Sequence, residues 1–74
     1  MAEKLKIVGD GKWFEIIGNR EGLIGLAIMC LRLAMLPEDD DEAQKLGNHY
    51  HYNPSMNNAE EGSLEMTILY KPDL

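Results

Sequence analysis

Between Asn19 and Pro37 the chain reads NREGLIGLAIMCLRLAML, one long apolar stretch with a polar start and an abrupt stop. This feature constrains the fold most, because it predicts one helix that everything else must cover. Asn19 suits the N-cap, where its side-chain oxygen accepts a bond from a free amide of the first turn. Glu21 then sits near the positive end of the helix. Pro37 lacks an amide hydrogen and ends the helix near Leu36. At about 100° per residue, Leu23, Ala27, Cys30, Leu31 and Ala34 centre the apolar face, with Glu21, Gly25 and Arg32 opposite. Ile24, Ile28 and Met35 widen the apolar surface along one flank, and Met29, Leu33 and Leu36 along the other. One sheet cannot cover all of that. The stretch from Leu23 to Leu36 is broken by Gly25 and Arg32, and falls short of the roughly 20 residues a bilayer span needs.

On both sides of the helix the period changes to two. KLKIV and KWFEII flank GDG, and Asp10-Gly11 is a two-residue hairpin signal. With Gly9 and Lys12 closing the turn, Val8 faces Trp13, Ile7 faces Phe14, Lys6 faces Glu15 and Leu5 faces Ile16. Leu5, Ile7, Phe14 and Ile16 then share an inner face. Lys6 and Glu15 form an opposite-charge pair on the outer face, which also receives Val8, Trp13 and Ile17. After the helix come NHYHYN and SLEMTILYK. The second alternates Leu64, Met66, Ile68 and Tyr70 toward the helix against Glu65, Thr67, Leu69 and Lys71. The expected fold is α+β: a hairpin–helix–hairpin (ββαββ) unit. It forms a four-stranded, mainly antiparallel sheet with one helix packed on one face.

A chain of 74 residues makes a single domain, residues 1–74. It buries only about 60% of its unfolded surface, so a deep cavity walled on all sides is not expected. The single cysteine, Cys30, forms no internal disulfide and reads as a small core residue. No neighbouring cation favours its thiolate. Absence of disulfides fits a reducing cytoplasm, and MAEKLKIVGDGK lacks the apolar core of a signal peptide. The formal charge of −6 disfavours nucleic acid and anionic membrane as partners. It favours a basic partner, or no charged partner at all. Much of that charge lies in PEDDDE, which includes Asp39, Asp40 and Asp41. The run has consecutive acids and no central glycine, so it is no EF-hand calcium loop. A short helical turn is expected from about Asp41 to Leu46, ended by Gly47.

NHYHYNP holds both histidines. In a strand, His49 and His51 point one way and Tyr50 and Tyr52 the other. The tyrosines are the better core residues, with hydroxyls reaching for the edge, so both imidazoles turn outward. Two histidines on one face are weak metal candidates that need further ligands; Asn53 is a poor one, and Glu65 would need strand pairing to bring it near. Neither Ser55, Ser63 nor Cys30 has an evident nucleophile–base arrangement with them. No catalytic residue, metal or other cofactor is assigned.

The order GNREGLIGLA, LRLA, HYHYNP and EGSLEMTIL resembles a family of small bacterial proteins, immunity protein family thirty-two. Its pattern runs GN-x-EGL, LA, H-x-H-h-D-P and EGS-x-E-L-I-I, with h apolar. The resemblance covers about residues 17 to 71. Asn19, Glu21, Gly22, His49, His51, Glu61, Gly62, Ser63 and Glu65 carry it, while Asn53 stands where the pattern has aspartate. It implies a non-catalytic immunity protein of a polymorphic toxin system. Such a protein stays in the producing cell and inactivates its cognate toxin by binding.

Two function classes follow. The first is a binding module for a basic toxin, using Trp13, Val8, Ile17, Asp39, Asp40, Asp41, His49 and His51. Acidic groups speed encounter, and tryptophan supplies a desolvated anchor. The second is a small metal-binding protein or enzyme built on His49 and His51. A third reading is a homodimer, in which Trp13 or the apolar helix flank covers a second copy.

Overall fold

A computed structural model describes residues 3–36 and 48–71. The element order is β1 (Leu5–Gly9), β2 (Phe14–Gly18), α1 (Arg20–Ala34), β3 (His49–Tyr52), a 3-10 turn (Pro54–Met56) and β4 (Met66–Leu69). This is the expected α+β hairpin–helix–hairpin order. The strands form two antiparallel ladders, β1–β2 and β3–β4, rather than one continuous four-stranded sheet. The helical turn expected over 41–46 lies outside the described residues.

Segment 60–64 links the ladders along the free edge of β1. Glu60 N donates to Leu5 O at 2.6 Å and Leu64 N to Ile7 O at 2.8 Å. Between them, Ile7 N donates to Ser63 Oγ at 2.9 Å. Gly62, at φ +84°, makes the turn that presents this hydroxyl. The segment turns on itself, as Ser63 N donates back to Glu60 O at 3.0 Å. A regular ladder cannot pass through such a turn, which is why the sheet divides there.

The β1–β2 hairpin keeps its predicted faces but not its register. The partners are Leu5↔Gly18, Lys6↔Ile17, Ile7↔Ile16, Val8↔Glu15 and Gly9↔Phe14. Asp10 N donates to Trp13 O at 3.3 Å, so Gly11 and Lys12 are the central residues. Asp10 Oδ1 accepts from Lys12 N at 3.0 Å. Gly11 takes φ +95° and Lys12 does not have a positive φ. A turn with glycine first needs one residue at positive φ, whereas Asp10-Gly11 in a type I′ turn would need two. Every partner therefore moves by two residues, which preserves the faces. Lys6 and Glu15 no longer face each other directly.

Helix α1 begins as expected and ends at Ala34 with Met35 as its C-cap, two residues short of the expected Leu36. Asn19 Oδ1 accepts from Gly22 N at 2.8 Å and from Lys4 N at 3.0 Å. Asn19 N donates to Lys4 O at 3.1 Å. The cap thus ties the helix start to the chain entering β1. Gly22 allows the approach: a Cβ there would meet the Lys4 carbonyl oxygen at 2.1 Å.

The rotation of α1 differs from the expected one. Gly22 and Leu33 are buried, and Gly25, Leu26 and Met29 are half-buried. Leu23, Ala27, Cys30, Leu31 and Ala34, the expected centre of the inner face, are all exposed. Cys30 is accordingly a surface thiol, not a core residue. The close contact at Gly22 sets the rotation, and a helix apolar nearly all round offers little opposition.

The core consists of Leu5, Ile7 and Tyr52, with Leu26, Met29, Tyr50, Met66 and Ile68 packed around them. Phe14 and Ile16, expected inside, are 66% and 38% exposed because α1 does not cover their part of β2. Leu64, also expected toward the helix, is exposed. Between α1 and β3 an open cleft of about 550 Å³ is lined by Glu3, Gly25, Arg32, Tyr50, Tyr52 and Asn58 among others.

Candidate partner-binding surface

The side of the ladders turned away from α1 follows from the strand alternation. In β3–β4 the partners are His49↔Leu69, Tyr50↔Ile68, His51↔Thr67 and Tyr52↔Met66. Tyr52 is buried and Tyr50 half-buried, while His49, His51, Thr67 and Leu69 are exposed. The imidazoles therefore point outward and the tyrosines inward, as the sequence indicates. The tyrosine rings meet edge to face at a centroid distance of 5.0 Å. Burial, followed by the neighbouring Tyr50, pushes the Tyr52 phenol up to about 12.

The histidine rings also meet edge to face, at 4.9 Å. His51 Nδ1 lies 2.9 Å from Thr67 Oγ1, and His49 Nδ1 lies 3.1 Å from Asn48 Oδ1. Each ring thus has one nitrogen fixed by a local partner. Among the described residues, no group of three or more His, Cys, Asp or Glu side chains is placed to hold a metal ion.

On the β1–β2 part of the same side, Ile17 is half exposed opposite Lys6, and Val8 is half-buried opposite Glu15. Trp13 stands just before β2, at the turn end of the hairpin. Together with Phe14, Leu64 and Gly9 it borders a shallow depression of about 280 Å³. Alternation thus turns Val8 and Ile17 away from the core in the first ladder and His49 and His51 in the second, with Trp13 at the hairpin end. Leu69 joins them, 52% exposed; its place in the alternation of SLEMTILYK marks that side. Asp39, Asp40 and Asp41 lie outside the described residues. The charge of the described part is nearly balanced, with seven acids against six bases. The run from Glu38 to Glu42 carries most of the −6.

Asn53 has a defined task despite its departure from the expected pattern. Its Oδ1 accepts from Met56 N and from Ser55 Oγ, both at 2.9 Å. Its own N–H donates to Asn58 Oδ1 at 2.9 Å, and Asn58 Nδ2 donates to His51 O at 2.7 Å. This closes β3 into the Pro54–Met56 turn. Aspartate would cap the same turn equally well, so the change leaves the geometry intact.

The motif residues then divide. Asn19, Gly22, Gly62 and Ser63 hold the backbone together, as the contacts above show. Glu21 lies in the first turn of α1. His49, His51, Glu61 and Glu65 are exposed. The model of the family Immunity protein 32 matches residues 14–72. The chain belongs to that family. No curated protein and no solved structure matches it. The family name marks Immunity protein 32 members as immunity proteins, which implies a protein partner. No helix of the described residues is long and apolar enough to cross a membrane.

Proposed function

We propose that this chain is a non-catalytic bacterial immunity protein that binds a cognate polymorphic toxin and blocks it inside the producing cell. The family match across residues 14–72 carries the reading. The side of the ladders facing away from α1 is the surface assigned to the toxin. Trp13, Ile17 and Leu69 supply half-exposed apolar anchors, and His49 and His51 supply adaptable polar contacts beside them. Truncating such anchors typically costs at least 2 kcal/mol where they sit at the centre of an interface. The acids Asp39, Asp40 and Asp41 raise the rate of encounter with a basic toxin.

The test is to express the adjacent gene as candidate toxin with and without this chain and to score cell survival. The wild-type chain should protect, and a Trp13→Ala, Ile17→Ala, His49→Ala variant should fail while keeping its far-UV circular dichroism. Full protection by a folded variant of this kind would exclude this surface. Failure of the wild-type chain to bind or protect against the toxin would exclude the function.

A further inference from the structure

We propose that the outward side of α1 pairs with the same side of a second copy of this chain. Ile24, Ile28, Leu31 and Met35 follow one another at steps of four, three and four residues. That is the spacing of a helix–helix seam, in which each side chain inserts between four of the facing helix. All four are exposed, at 53%, 45%, 61% and 75%, although Ile28 also borders the cleft between α1 and β3 and Met35 is the C-cap. Leu23, Ala27 and Ala34 border the seam on one side and are also exposed, and the exposed Arg32 borders it on the other.

The area is adequate. With Leu23, Phe14 and Ile16, the exposed large side chains on this side of the molecule offer on the order of 700 Å², against about 800 Å² per partner in a standard interface. The occupant should also be permanent. Among the described residues only Leu5, Ile7, Leu33 and Tyr52 are buried apolar side chains, and a core that small leaves a thin margin. A second copy is present whenever the chain folds, whereas a toxin is not. The stretch 37–47 is poorly suited to this side by composition, offering Ala43 and Leu46 against five acids. A twofold contact needs no complementary charge, which suits a seam whose four residues carry none.

This pairing does not rest on the toxin reading, because none of the four seam residues is among those assigned to the toxin. The experiment is sedimentation equilibrium of the full chain at micromolar concentration, with Leu31→Lys and Met35→Glu as variants. The wild-type chain should sediment at twice its 8.4 kDa mass. Both variants should associate at least tenfold more weakly. Met35 is the more exposed site at the helix end, so Met35→Glu decides if Leu31→Lys does not fold. The wild-type melting temperature should also rise with protein concentration. A folded wild-type monomer with concentration-independent melting would overturn the proposal. So would a dimer unaffected by either variant, or a monomer whose α1 is covered only by added toxin or by lipid vesicles.

Discussion

Asn19 and Gly22 act as a pair at the start of α1. One side-chain oxygen receives two amides, Gly22 N and Lys4 N, and the missing Cβ at position 22 lets Lys4 come close. Asn19→Ala should therefore cost about 1–2 kcal/mol, the upper part of the usual capping range, as read from urea denaturation. Asn19→Asp should retain most of it. Gly22→Ala should destabilise although alanine favours helix, because the obstacle is a backbone oxygen. Gly25→Ala should be milder, since the atom it would meet belongs to the Glu3 carboxylate, which can move aside. Tyr52 gives the pH dependence. Its phenol is raised from 10.0 to about 12 in the folded chain. The folded state thus holds this proton more tightly. Its contribution is complete below pH 10 and is lost as pH rises through about 12, at up to about 1.4 kcal/mol per unit. Denaturation of the wild type and of Tyr52→Phe across that range should show a steeper fall in the wild type.

The elements differ in how far the sequence discloses them. The bounds of α1 are legible because Asn19 and Pro37 are local signals. The outward histidines are legible because strand alternation is strict and Tyr52 gains more than an imidazole does by burial. The rotation of α1 is not legible from periodicity. Large apolar residues occupy most of its circumference, and a contact at Gly22, invisible in the pattern, decides which side faces inward. The hairpin register is equally ambiguous, since Gly11 can serve either turn and only the Asp10 carboxylate bond to Lys12 N selects one. For the candidate site, the motif singles out residues but does not separate those that hold the backbone from those that face solvent. Asn19, Gly22, Gly62 and Ser63 hold the backbone, while His49, His51, Glu61 and Glu65 face solvent. Ser63 joins the two ladders through Ile7 N. Ser63→Ala should cost about 1 kcal/mol, typical of a lost internal hydrogen bond. It should also speed hydrogen exchange at Ile7 more than within β3.

At the scale of the whole molecule, charge and apolar surface are separated. The described residues are nearly neutral, and the acids concentrate in the run 38–42. Encounter and grip should therefore be separable properties. Reversing Asp39, Asp40 and Asp41 to lysine should slow toxin association, and more so at low salt, with little change in dissociation. Stopped-flow association at two ionic strengths would measure this. The thin core and the exposed outer side of α1 fit the proposed pairing with a second copy, whereas the proposed toxin contact lies on the ladders. The most direct test of the proposed function is the dissociation constant for the protein encoded by the adjacent gene, measured by calorimetry. Wild-type chain should bind tightly in fixed stoichiometry, and the folded Trp13→Ala, Ile17→Ala, His49→Ala variant should bind at least tenfold more weakly. Equal affinity of the two would contradict the assigned surface, and no heat of binding from the wild type would contradict toxin binding itself.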